Sequence, residues 1–393
     1  MTLNKIAKRM FLTEDKIWLS SPHMSGREMK YIDEAFSQNY VFPLGPNVEG
    51  LEQDLEKFTG AKYAACLSSG TAGLHLALIV LGISAGDEVI VSTFTFAASV
   101  NPVVYQKATP VFVDSEPDTW NMDSELLEEA ILDRLKRGKK PKAIIVVHLY
   151  GMPANMDKIM RISMEYDIPV IEDAAEALGA SFNGKMCGTF GEIGILSFNG
   201  NKIITTSGGG ALLSEKKEYC ERATFLATQA RDKAPFYQHS NIGYNYRMSN
   251  ICAGIGRGQM EVLPEFIRKR RENFTFYREM LKDTEGLIFP DEQDKRFYTN
   301  RWLTTLLIDP EKTNGISCSN LLSSLEKENI ESRRLWKPMH LQPVFKNEPA
   351  YINGTSEKLF DSGLCLPSGS NITEEQRFRV VKTIIKKIKD PRK

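Results

Sequence analysis

The chain carries no surplus of charge: its 50 lysines and arginines stand against 50 aspartates and glutamates. That balance removes the basic footprint expected of a nucleic-acid binder. Its six cysteines, at 66, 187, 220, 252, 318 and 365, are scattered, with no Cys-x-x-Cys pair and no His/Cys cluster at zinc spacing. They read as reduced thiols of a cytoplasmic protein, and no metal is expected. No apolar run approaches the ~18 residues of a membrane span, and Met1 to Lys16 lacks the apolar core of a secretory signal. A Walker A loop and a Gly-x-Gly-x-x-Gly turn are both missing, which argues against a nucleoside triphosphate or a dinucleotide. Internal repeats and low-complexity segments are absent too.

What remains is an ordinary globular composition over 393 residues. Single cores rarely grow beyond roughly 250 to 300 residues, so two lobes are expected. The division reads as an N-terminal extension over 1–18, a large domain over 19–265 and a small C-terminal α+β domain over 266–393. Short β-rich runs alternate with helical ones from about residue 60 to 215, the pattern of a mostly parallel sheet with helices on both faces. The strands are predicted at 63–67, 88–91, 109–113, 143–148, 169–171 and 194–198, and functional residues should collect at their carboxyl ends. Farther on, 259–281 reads as one long basic amphipathic helix.

The strand ends carry the chemistry. Ile193 to Phe198 leads into a polar turn holding Lys202, and Gly208 to Gly210 follow. An amine beside Ser197, Thr205, Thr206 and glycines suits a lysine that holds an aldehyde cofactor as a Schiff base while nearby donors hold its phosphate. Ser69, Gly70 and Thr71 open an apolar-periodic helix and could bind that phosphate, or simply cap the helix. Phe94 and Phe96 share a face if their strand continues, and Phe96 is the candidate to stack on a flat ring. Asp173, ending a buried strand, could keep a pyridine nitrogen protonated.

These segments, together with Glu172-Asp173-Ala174-Ala175-Glu176 and Gly243-Tyr-Asn-Tyr-Arg-Met-Ser249, resemble the motifs of the PLP-dependent sugar-nucleotide aminotransferases, the DegT/StrS family. The resemblance runs from about Leu19 to the C-terminal helix. It implies a fold-type I (aspartate aminotransferase-like) homodimer with pyridoxal 5'-phosphate (PLP/PMP) at a shared active site. Lys202 would then be the Schiff-base lysine and Asp173 the partner of the pyridine nitrogen, with Glu176 near the 3-hydroxyl and Phe96 over the ring. Ser69, Gly70, Thr71 and Ser197 would hold the phosphate, Asn245 would reach it from the partner subunit, and Arg247 would lie near that interface. The family pattern Thr-Thr-Gly-Glu-Gly-Gly is replaced by Thr205-Thr206-Ser207-Gly208-Gly209-Gly210, which lacks the acid.

The stretch from Asn199, with Leu19 to Met24 and Arg334 to His340, is similar to the branch that aminates a UDP-linked 4-keto-6-deoxy-N-acetylhexosamine, with glutamate as donor. Arg333, Trp336, Lys337 and His340 are the candidates for the nucleotide-diphosphate end, and His23, Met24 and Ser25 for further substrate contact. Amination at C3 and a catalytically idle PLP-fold regulator are the alternatives, although an idle relative should have lost Lys202 or Asp173.

Overall fold

Short runs of valine, isoleucine and leucine, each bounded by turn-forming residues, assemble into one sheet. In the computed structural model, which describes residues 16–390, they are β1 (Tyr63–Leu67), β2 (Glu88–Ser92), β3 (Thr109–Val113), β4 (Ala143–Val147), β5 (Val170–Asp173), β6 (Ile193–Ser197) and β7 (Gly210–Ser214). Their order is β1-β7-β6-β5-β4-β2-β3, with Ala350–Tyr351 added beside β3 at the edge. Only β7 runs antiparallel to its neighbours. Every residue of β2, β4, β5 and β7 is buried, as a sheet covered by helices on both faces requires. The six predicted strands are all present, 63–67 and 109–113 with the expected bounds and the other four with one or both ends displaced by a residue or two. The carboxyl ends of β1, β2, β4, β5 and β6 point to one edge, and the site lies there.

Leu287–Ile288, Thr304–Ile308, Arg333–Arg334 and Gly363–Leu366 form a second, antiparallel sheet. It packs with Tyr277, Leu321, Val380 and Ile384 from three helices into a separate core. The single helix expected over 259–281 is in fact two, Asn250–Met260 and Leu263–Leu281. Pro264 explains the break: it has no N–H to give a preceding turn, yet it is tolerated within the first turn of a new helix. The boundary expected near 266 falls in that turn. Residues 1–15 of the expected N-terminal extension lie outside the described residues. Ile17 pairs with Ile330, and the Leu19 carbonyl accepts from Ser368 N–H, so this segment is stitched to the second sheet. Among the described residues no helix is long and apolar enough to cross a membrane, and all six cysteines are free thiols.

Candidate active site

Lys202 sits in the connection between β6 and its antiparallel neighbour β7. Phe198 is fully buried, its N–H donates to the Gly209 carbonyl, and its own carbonyl accepts from Thr206 N–H, closing a loop that projects the lysine. The return is tight. A Cβ on Gly210 would stand 2.5 Å from Gly70 N and 2.7 Å from the Leu196 carbonyl oxygen, so only glycine lets β7 start this close to the helix Gly70–Val80. Lys202 Nζ lies 3.6 Å from Glu176 Oε1 and 4.2 Å from the centroid of the Trp302 ring. The amine is thus held by a carboxylate on one side and an aromatic face on the other.

Asp173 ends β5 with its carboxylate buried. Ser99 Oγ donates to Asp173 Oδ2 at 2.6 Å, and Ala175 N–H donates to Oδ1 at 3.2 Å. Because the Ser99 proton is committed to Asp173, Thr95 Oγ1, 2.6 Å away, must be the donor to Ser99. Two hydroxyls in series therefore fix the orientation of the carboxylate. Glu176 is buried and accepts from Tyr150 N–H at 2.7 Å. Burial pushes its carboxyl above the usual range, and the Lys202 charge opposes that shift.

These groups face one cavity of about 400 Å³, which Ser69, Gly70, Thr71, Phe96, Asp173, Glu176, Ser197 and Lys202 all help to line. Ser69 does cap its helix, accepting from Ala72 N–H at 3.0 Å, while its own hydroxyl proton stays available. The first N–H groups of that helix, from Gly70 and Thr71, have no carbonyl within the helix to bond. Phe94 and Phe96 do not share a face, because β2 stops at Ser92. Phe94 enters the core, and Phe96 stands 53% exposed at the cavity wall.

Arg333 and Trp336 also line the cavity, and the Trp336 ring lies 5.1 Å from that of Phe96. Several other candidates are not among its lining residues. His23 stacks on Phe266 and bonds Ser370, Met24 is exposed, and Ser25 is tied to Glu28. Lys337 is exposed, and His340 is engaged by Thr93 and Glu357. Arg247 is spent in a half-buried pair with Glu52 and on the Cys66 carbonyl. Asn245 is exposed, bridged to Thr228.

Sequence reasoning missed Trp302, Tyr150, Ser99 and Thr95. The two hydroxyls lay within the stretch that drew attention for its rings, with Phe96, Ala97 and Ala98 between them. Trp302 carried no local signal at all. It arrives from the second lobe, where Arg270 donates to its carbonyl and to Ser20 Oγ.

The donor set fits a flat pyridine aldehyde bearing a phosphate. Unpaired helix N–H groups and hydroxyls occupy one end, a carboxylate in β5 another, and an amine and an exposed aromatic ring complete the walls. Among the described residues no cluster of His, Cys, Asp and Glu could hold a metal.

A model of the DegT/DnrJ/EryC1/StrS aminotransferase family matches residues 22–385. The chain is 51% identical over 374 residues to the "Putative pyridoxal phosphate-dependent aminotransferase EpsN" of Bacillus subtilis (strain 168), an alignment covering 94% of this chain and 95% of that one. It is 36% identical to the GDP-perosamine synthase of Escherichia coli O157:H7, over 92% and 96% of the two chains. The crystal structure of a DegT DnrJ EryC1 StrS aminotransferase from Brucella abortus superposes with a TM-score of 0.84 at 29% identity, covering 92% of this chain and 95% of that one.

Proposed function

The chain belongs to the DegT/DnrJ/EryC1/StrS family of PLP-dependent sugar aminotransferases, and on that premise we propose that it carries an amino group from glutamate to the C4 ketone of a UDP-linked 4-keto-6-deoxy-N-acetylhexosamine. The reaction would run in the cytoplasm and feed the synthesis of a surface polysaccharide or glycan. The observation that carries this reading is the Lys202 amine, 3.6 Å from Glu176, in the cavity that Asp173 and Trp336 also line.

Pyridoxal phosphate, when bound, supplies the electron sink that lets a C–H bond next to nitrogen lose its proton. The chain does the rest. The N–H groups of Gly70 and Thr71 and the hydroxyls of Ser69 and Ser197 would hold the phosphate at the positive end of a helix. Asp173, oriented by Ser99 and Thr95, would pair with the ring nitrogen and hold a proton there. Phe96 would cover the ring, and Glu176 faces the amine. Lys202 Nζ then takes the proton from the donor's α-carbon and, in the second half of the cycle, delivers one to the sugar carbon that gains nitrogen. Arg333 and Trp336 stand where a diphosphate and a flat base could be met. Asn245, exposed beside its bridge to Thr228, would complete the phosphate site of a partner in a homodimer.

The test is the cofactor-loaded protein given glutamate and then the UDP-linked keto-sugar. Glutamate should bleach the visible band, the keto-sugar should restore it, and NMR should place the new amine on C4. An amine on C3 would overturn the regiochemistry. A second reading, a GDP-linked 4-keto sugar, is favoured by the name of the 36% identical relative. Turnover of a GDP sugar with none of its UDP counterpart would replace the first reading with that one.

A further inference from the structure

Arg270, in the helix Leu263–Leu281, carries a charge that the reaction described above does not use. It is 1% exposed, pairs with no carboxylate among the described residues, and leaves its Nε without an acceptor. A buried charge is costly without a partner, and burial pulls this one down to a pKa of about 9. An apolar side chain would fill the same position at less cost, so the use of Arg270 lies in the bonds it does make.

Those bonds go to the surroundings of the reactive lysine. Nη1 donates to the Trp302 carbonyl, and Nη2 donates to Ser20 Oγ at 3.0 Å and to the Lys202 carbonyl at 3.5 Å. Ser20 Oγ in turn donates to the Asn201 carbonyl at 2.7 Å, and Trp302 Nε1 donates to that same carbonyl at 2.8 Å. The bonds close a ring, running from Arg270 through Trp302 to Asn201 and back through Ser20. Segments far apart in the chain thus grip the carbonyls of Asn201 and Lys202, which are adjacent. The indole is held at both its backbone and its Nε1, and its ring centroid lies 4.2 Å from Lys202 Nζ. Trp302 N–H also donates to Asn300 Oδ1, and Asn300 Nδ2 donates to the Glu176 carbonyl, which ties the carboxylate's turn to the same frame. A guanidinium suits this task because its planar fork offers several donors and no acceptor, whereas an ammonium is a single nitrogen.

We propose that Arg270 is a positioning residue for amino transfer, holding the Asn201–Lys202 backbone and the Trp302 ring so that the Lys202 amine keeps its place as it takes and delivers protons. It does not line the cavity, so it acts through the residues it holds. This role rests on the reading of Lys202 as the proton-carrying amine.

The experiment is a double-mutant cycle on the cofactor-loaded protein, read as the single-turnover rate at which glutamate bleaches the visible band. Arg270→Lys keeps the charge but cannot reach all the acceptors, and should slow bleaching by about tenfold, the worth of one buried hydrogen bond. Ser20→Ala opens the ring on its other arm and should slow it by about threefold or more. The double variant should be about as slow as Arg270→Lys alone, because both changes open one ring. Half-saturation by glutamate should stay near wild type in all three. Loss of folded protein would lower the amplitude of bleaching and leave its rate constant unchanged. If Arg270→Lys fails to fold, the rate of Ser20→Ala decides alone. Wild-type rates in the folded variants, losses that multiply in the double variant, or a change confined to half-saturation overturn the positioning role and leave the aminotransferase reading intact. If glutamate does not bleach the wild-type band, the reading of Lys202 falls and the role of Arg270 falls with it.

Discussion

Lys202 draws its surroundings from three separate places in the chain: Glu176 after β5, Trp302 from the second lobe, and the glycines that begin β7. Replacing it with alanine should abolish both turnover and the visible band after PLP is added, and absorbance spectroscopy reads both. Retained multiple turnover would remove Lys202 from the chemistry. Ser99 makes a subtler case, because its hydroxyl bonds Thr95 and Asp173 and acts through the latter. Ser99→Ala removes one hydrogen bond to a charged acceptor, worth about 1.5–3 kcal/mol, and should weaken PLP binding by at least tenfold. Fluorescence titration of the apo-protein measures that affinity directly, and wild-type affinity would show that the hydroxyl pair does not support Asp173. At this scale the sequence was legible wherever a residue type is rare in its setting, such as a lysine between a strand and a glycine run. Trp302 and Tyr150 were not legible, because an aromatic residue outside any motif reads as core.

At the scale of elements, the close approach of β7 to the helix Gly70–Val80 joins the lysine loop to the expected phosphate end. Gly210→Ala would drive a Cβ into Gly70 N and the Leu196 carbonyl, both backbone groups unable to swing aside. It should lower unfolding stability by roughly 1–3 kcal/mol in urea titration and loosen the cofactor site along with the fold. The same helix carries His75, buried against Tyr105 and Tyr244 and 2.7 Å from Gln106. Burial lowers its pKa below the ordinary value near 6.5. Between the lowered folded value and 6.5 the unfolded chain binds the extra proton, so stability should fall as pH drops through that window. His75→Gln should flatten that slope in urea midpoints measured on either side of 6.5; an equal slope in both proteins would show that another group titrates. Strand positions were readable because buried parallel strands are short, β-branched and bounded by turns. The break before Leu263 was misread because amphipathic periodicity continued across Glu261 and Val262, and only Pro264 marked a new start.

At the scale of the whole molecule, Asn245 is the test of a shared site, since it is exposed in the single chain and absent from the lining of that chain's own cavity. Lys202→Ala and Asn245→Ala chains, each inactive alone, should regain activity when mixed and refolded together, because some sites would carry neither lesion. Verified mixed dimers without activity would argue against a contribution in trans. The sequence by itself determined the strand order's raw material, the lysine between β6 and β7, the acid that ends β5 and the family, because each is encoded in contiguous residues whose pattern local chemistry constrains. Tertiary structure decided the rest. It drew Arg247 into a pair with Glu52 rather than toward the cavity, brought Arg333 and Trp336 to that cavity while leaving Lys337 and His340 aside, and set Trp302 beneath the amine. Those outcomes depend on which buried charges find partners and which rings fill the space between two cores, and such pairings are settled by packing between segments far apart in the chain.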